Sequence, residues 1–175
     1  MISYLKCSQD LVLKLSADDM RLLKWHIDVS YAMHVDMKSH TGGNFSMGRG
    51  TIYGKSGKQK LDTKSTTESE LVGVDDVLPQ VLWTSYFIEK QGFETKGTVV
   101  YQDNKSTILL AKNGRKSSSK RTKHINVRYY FVKDRIDKKE LTIEYCNTDN
   151  MIADYFTKPL QGIKFQTFLK EIMGI

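Results

Sequence analysis

The sequence predicts an α/β fold: a mixed five-stranded sheet, three antiparallel strands followed by parallel additions, flanked by helices. Three observations lead there. Short β-favouring runs crowd the first third of the chain. Long stripes of apolar residues at i, i+4, i+7 and i+11 then mark helices that alternate with single short strands. The resulting order, β-β-β-α-β-α-α-β-α, suits a hairpin set extended by parallel strands with helical crossovers.

Each element has its own signal. Leu22–Ser30 (LLKWHIDVS) is apolar and β-favouring. Residues 44–53 (NFSMGRGTIY) read as a second strand, with glycines marking a bulge or a close backbone approach. Gly54-Lys55-Ser56-Gly57 reads as a turn that returns the chain into a third strand over residues 58–63. Ser65, Thr66 and Thr67 offer N-caps for a long helix, and Glu68 and Glu70 place negative charge in its first turns. Glu70, Val74, Val77 and Val81 share one face, so Glu70 continues a buried stripe and Glu68 does not. Pro79 is a point of kinking or division, and Gly92 caps the end. Residues 98–103 (TVVYQD) form a short strand, with Asn104 capping a helix over 105–112. Residues 113–119 are a polar loop. A helix over 120–137 carries the stripe Ile125, Tyr129, Val132 and Ile136. Residues 140–146 make the last strand, 150–157 a short helix, and Gly162–Met173 a terminal helix. Trp83, Tyr86 and Phe87 are read as helix core.

A chain of 175 residues fits one domain with appended terminal segments. No apolar run approaches the roughly 20 residues of a membrane span. The start, MISYLKCSQD, lacks the apolar core of a secretory signal. Two cysteines, Cys7 and Cys146, make no disulfide framework and fit a reducing, intracellular setting. The net charge of +7 favours an anionic partner. Residues 104–133 contain no acid, while Lys105, Lys112, Arg115, Lys116, Lys120, Arg121, Lys123, Arg128 and Lys133 are basic. A solvated surface would also explain that run, but it begins just after a conspicuous carboxylate.

Four carboxylates stand out by placement. Asp28 and Asp103 close strands, Glu70 heads the stripe of the long helix, and Asp154 lies in the short helix near the C-terminus. A carboxylate inside a buried element is costly unless paired or bound to a cation. Four in one α/β chain suggest a site for hard divalent ions, and sites of open α/β sheets gather at strand carboxyl ends. A zinc centre is disfavoured, since no His/Cys pair has ligand spacing. Gly54-Lys55-Ser56 is not a P-loop, because the required first glycine is Arg49.

Several motifs, in order, resemble the ribonuclease H region of Copia-type LTR retrotransposon Pol polyproteins. They are Trp25-His26-Ile27-Asp28; Lys58-Gln59-Lys60 ahead of Ser65 to Leu71; Tyr101-Gln102-Asp103-Asn104-Lys105-Ser106; Arg121-Thr122-Lys123-His124-Ile125; and Ala153-Asp154-Tyr155-Phe156-Thr157-Lys158-Pro159. The resemblance implies a ribonuclease H-like domain over residues 21–160. Residues 1–20 would then be a connection following a reverse transcriptase, and 161–175 a C-terminal helix. It implies an Asp28, Glu70, Asp103 and Asp154 quartet holding two Mg²⁺ ions, with Mn²⁺ as a substitute. Asp28 would bridge both ions. Glu70 and Asp103 would hold the ion on the leaving-group side, and Asp154 would complete the one that activates water.

The implied activity is cleavage of the RNA strand of RNA–DNA hybrids during reverse transcription. The hybrid and the reverse transcriptase of the same polyprotein would be its partners, in a cytoplasmic virus-like particle and without a membrane. Asn104, Lys105, Ser106, Lys112, Arg115, Lys116, Lys120, Arg121, Lys123 and His124 are the expected nucleic-acid contacts. One departure is notable: residues 144–154 (EYCNTDNMIAD) lack the histidine that cellular ribonucleases H place before the final aspartate. His124 comes too early to replace it. The competing reading is a non-catalytic nucleic-acid-binding or tether domain. An integrase core would need a final glutamate on a helix instead of Asp154.

Overall fold

The structure is a computed structural model that describes residues 6, 8–17, 21–113 and 123–175, with the backbone alone for 123–126. Its main sheet has five strands: β2 (Leu22–Ser30), β3 (His40–Ser46), β5 (Tyr53–Lys58), β6 (Gly97–Gln102) and β7 (Thr142–Tyr145). The order across the sheet is β5-β3-β2-β6-β7, with β2 at its centre. β2 pairs antiparallel with β3 and parallel with β6; β3–β5 is antiparallel and β6–β7 parallel. This is the mixed five-stranded arrangement that the element order predicts. A two-residue ladder joins β1 (Ser16–Ala17) to β4 (Gly48–Arg49).

Among the described residues, four helices flank the sheet: α1 (Thr66–Lys90), α2 (Lys105–Asn113), α3 (Lys123–Asp137) and α4 (Gly162–Met173). The core forms where β2 presents Leu23, Trp25 and Ile27 to the Val74, Val77, Leu78 and Val81 face of α1. Trp25 stacks on Phe45 with ring centroids 4.7 Å apart. Tyr129 and Val132 of α3 are buried in the same core, as their spacing requires. α1 starts at Ser65, whose hydroxyl accepts from the Glu68 N–H, and it runs through Pro79 unbroken.

The second and third strands differ from the expected 44–53 and 58–63. The first hairpin partner is His40–Ser46, and the predicted turn Gly54 to Gly57 lies inside β5. The reason is steric. A Cβ on Gly54 would lie 2.7 Å from the Phe156 ring, so this glycine permits close approach instead of turning the chain. The chain breaks earlier, at Gly50, whose φ of +82° suits glycine. The loop expected at 113–119 falls outside the described residues from 114 onward.

Trp83, Tyr86 and Phe87 also depart from expectation: they are 57%, 45% and 48% exposed. In a helix as long as α1, the Val and Leu stripe already covers the sheet. The aromatics occupy the outer side, where Trp83 and Phe87 stack on each other at 5.1 Å.

Candidate active site

Three close packings bring the acids together. The first is between α1 and β2. A Cβ on Gly73 would sit 2.3 Å from Val29 Cγ2, so glycine alone lets the helix lie this near the strand. One turn earlier, Glu70 is delivered to the strand's end. Gln59 reinforces this start by donating its amide to the Ser69 carbonyl at 2.9 Å and to Thr41 Oγ1 at 3.0 Å.

The second packing is on the opposite face of the sheet. Asp28 and Gly42 are register partners and share that face. The 3-10 turn Ile152–Phe156 docks over Gly42, where a Cβ would meet Thr157 Cγ2 at 2.6 Å and the Ala153 carbonyl at 2.8 Å. This docking carries Asp154 and Thr157 to Asp28. The third packing is the parallel pair β2–β6, which sets Asp103, one residue past its strand, beside Asp28.

Ligand oxygens of Asp28, Glu70 and Asp103 all lie within 4.8 Å of one another. Asp28 and Glu70 are 2% and 3% exposed. These three acids, with Thr66, Asn104, Lys105 and Lys158, line a cleft of about 470 Å³. Asp154 stands beside this group. It is buried, and each carboxylate oxygen holds a lysine: Oδ1 takes Lys158 at 2.5 Å and Oδ2 takes Lys164 at 2.8 Å. Lys158 also approaches Asp28 Oδ2 at 3.4 Å, so its ammonium links Asp154 to the trio.

The remaining partners are neutral donors. Thr157 donates its hydroxyl to Asp28 Oδ2. Gln102, fully buried, donates to Glu70 Oε2 at 3.1 Å, and its own oxygen accepts the N–H groups of Asp103 and Asn104. Thr148 donates to Asp103 Oδ2 at 2.7 Å.

Electrostatics follow from the crowding. Burial pushes the Glu70 carboxyl well above the usual range, aided by the charges of Asp28 and Asp103 and opposed by the Gln102 hydrogen bond. Burial also raises Asp28, against the Thr157 hydrogen bond and the Lys158 charge. For Lys158, burial works against the ammonium. The Asp154 hydrogen bond and the charges of Asp28 and Asp154 outweigh it, and its pKa rises.

The expected nucleic-acid residues are scattered by comparison. Asn104 and Lys105 line the cleft. Asn104 caps α2, its side chain accepting from the N–H groups of Ser106 and Thr107. Lys105 is exposed, with its ammonium 4.7 Å from the Tyr145 ring centroid. Lys112 is exposed at the far end of α2 and lines no part of the cleft, roughly 10 Å along the helix from Lys105. Arg115, Lys116, Lys120 and Arg121 lie outside the described residues, as do the side chains of Lys123 and His124. Farther along, Arg128 binds Asp75 and Asp76 of α1, and Lys133 binds Asp137, so this part of the basic run is internally paired.

Sequence reasoning missed Gln102, Thr148, Thr157, Lys158 and Lys164. Lys158 had a visible signal, since Asp154 and Lys158 stand at i, i+4. Lys164 had none, because its approach depends on α4 folding back.

Fold and site together define a ribonuclease H-like α/β domain. By shape the chain is similar to LC11-RNase H1 from a compost metagenome, with a TM-score of 0.54 and 11% identity over 77% of this chain and 91% of that one. It is also similar to the N-terminal RNase H domain of Rv2228c from Mycobacterium tuberculosis, with a TM-score of 0.52 and 10% identity over 85% and 96% of the two chains. By sequence, its homologues are retrovirus-related Pol polyproteins. It is 34% identical over 155 residues to the one from tobacco transposon TNT 1-94, covering 88% of this chain and 11% of that protein. It is 28% identical over 174 residues to the one from Arabidopsis thaliana transposon RE2, covering 98% and 12%. The chain thus spans about a tenth of the curated relatives it matches. No family model matches it. Among the described residues, no helix is long and apolar enough to cross a membrane.

Proposed function

We propose that this chain is a metal-dependent endoribonuclease that cleaves the RNA strand of RNA–DNA hybrids during reverse transcription of a retroelement. The observation that carries the proposal is the trio Asp28, Glu70 and Asp103, with oxygens within 4.8 Å of one another at the carboxyl end of the central strands. The donor set fits a hard divalent ion such as Mg²⁺ or Mn²⁺. It is all oxygen, and two of its acids are buried against their preference for ionisation, which a bound cation would relieve. Asp28, Glu70 and Asp103 would hold one ion, with Asp28 shared toward Asp154 for a second. When bound, such ions favour attack by water on a phosphodiester and stabilise the departing oxygen.

The chain's own groups prepare that chemistry. Gln102 and Thr148 orient Glu70 and Asp103, and Thr157 fixes Asp28. Asn104 and Lys105, which line the cleft, would contact a phosphate or a 2′-hydroxyl. Lys112, Arg115, Lys116, Lys120, Arg121, Lys123 and His124 would extend the contact with the phosphate backbone. The similar LC11-RNase H1 has been solved in complex with an RNA/DNA hybrid, which supports a hybrid as the substrate of this chain. The retrovirus-related Pol relatives support a chain that belongs to a larger polyprotein, and the partner we assign is the reverse transcriptase of that polyprotein, working in an intracellular particle. The test is a labelled RNA–DNA hybrid beside RNA–RNA and DNA–DNA duplexes, with and without Mg²⁺. Cleavage confined to the hybrid, dependent on the ion and lost in Asp28→Asn, is the expected result.

The second reading is a non-catalytic tether. What favours it is Asp154, fully engaged by Lys158 and Lys164, together with the absent loop histidine. Hybrid binding without cleavage in both Mg²⁺ and Mn²⁺ would transfer the assignment to it.

A further inference from the structure

The Asp154 half of the site already contains a cation. The Lys158 ammonium lies between two buried carboxylates, 2.5 Å from Asp154 Oδ1 and 3.4 Å from Asp28 Oδ2. Lys164 closes the other side of Asp154, and it is held there by the Thr148 carbonyl at 3.2 Å and by the Phe168 ring at 5.3 Å. Both lysines remain about one-third exposed, at 37% and 35%. Their heads therefore reach buried acids while their flexible stems can swing toward solvent.

We propose that Lys158, backed by Lys164, is a built-in counter-ion for the Asp28–Asp154 half of the site, which a divalent cation must displace to bind there. The inference rests on the metal-site reading above and adds an order to it. The Asp28, Glu70 and Asp103 group has neutral hydrogen-bond donors at Glu70 and Asp103, and it takes the first ion. The Asp28–Asp154 side is guarded, so its ion binds more weakly. Without Lys158, Asp154 would keep only Lys164 and Asp28 only the Thr157 hydroxyl. The repulsion between two buried carboxylates would then be less compensated and would work against the docking of Ile152–Phe156 on β2. Lys158 is thus a positioning residue with two consequences: it secures the metal-free fold and lowers affinity for the second ion.

These consequences have opposite signs on removal of the charge, which separates them from a merely structural role. Mn²⁺ binding is measured by titration calorimetry and by the loss of free-ion paramagnetic resonance signal. Thermal unfolding is followed in EDTA and in Mn²⁺. Wild type is expected to bind one ion tightly and a second weakly. Lys158→Met is expected to bind the second about tenfold tighter, while melting several degrees lower in EDTA and regaining that loss in Mn²⁺. Lys158→Arg keeps the charge and should leave the second affinity near wild type. Should Lys158→Met fail to fold, Lys164→Met is read by the same criterion.

Unchanged or weaker second-site binding in the folded variant overturns the proposal, even with a normal first site. That result would leave the metal-site reading standing. Absence of Mn²⁺ binding in wild type and in Asp28→Asn alike would overturn both.

Discussion

Replacing Gln102 with leucine removes three hydrogen bonds from the floor of the site while roughly keeping its volume. The Gln102 amide donates to Glu70 Oε2 at 3.1 Å, and its oxygen accepts from the Asp103 and Asn104 N–H groups at 2.9 and 3.1 Å. Glu70 and Gln102 are buried, so water cannot easily replace the lost donor. An unsatisfied buried polar group costs about 1–3 kcal/mol. The two N–H groups lie nearer the surface and can recover part of their loss in solvent. The sum is about 2–4 kcal/mol of destabilisation, with the cost concentrated on Glu70. Urea unfolding reads this directly: with a slope of about 2 kcal/mol/M, the midpoint falls by about 1–2 M. A loss below about 1 kcal/mol, with unchanged slope, would show that Gln102 does not hold Glu70 in place.

Three further outcomes follow from the packing and charges. Gly73→Ala should gain about 1 kcal/mol of helix propensity, yet destabilise overall by about 1–2 kcal/mol. The new Cβ meets Val29 Cγ2 at 2.3 Å and must push α1 from β2; the variant should also bind Mn²⁺ more weakly, and a gain in melting temperature would contradict this. Glu70→Gln should raise stability in EDTA by about 1–3 kcal/mol while weakening Mn²⁺ binding, because a buried carboxylate crowded by Asp28 and Asp103 is lost; equal or lower metal-free stability counts against the crowding. The third concerns His40, which burial and the neighbouring His34 hold below the ordinary histidine pKa. The unfolded chain then binds a proton at a pH where the folded one does not, so stability rises with pH through the region just below 6.5. His26, held down to about 4 by burial, adds a slope of the same sign. His40→Gln should therefore lessen the slope without abolishing it, and an unaltered slope would exclude His40 as a contributor.

The sequence made some of this legible because period and placement carry information locally. The 3.6-residue stripe separates Glu70 from Glu68, and the structure buries Glu70 while Glu68 accepts the Lys64 N–H at the helix start. β-favouring runs with an acid near their close put Asp28 two residues before the end of β2 and Asp103 one residue past β6. What failed were signals whose meaning is tertiary. Gly54 reads as turn chemistry until Phe156, about a hundred residues away, is seen against it. Trp83 and Phe87 read as core because their helix has a core face, and which aromatics share it depends on what covers α1. Of the lysines on Asp154, Lys158 shows its approach in the i, i+4 spacing, but Lys164 comes from a returning helix, and no periodicity reports that approach. Legibility ended where one segment's role was set by another.

The central claim is that Asp28, Glu70 and Asp103 form a divalent-metal site. The direct measurement is anomalous diffraction from crystals of the protein grown with Mn²⁺ and from crystals grown in EDTA. The account predicts a strong anomalous peak within about 2–2.5 Å of oxygens from all three acids, lost in EDTA, with a weaker second peak toward Asp154 at high Mn²⁺. An empty carboxylate trio at saturating Mn²⁺, or ions bound only elsewhere on the surface, would contradict it.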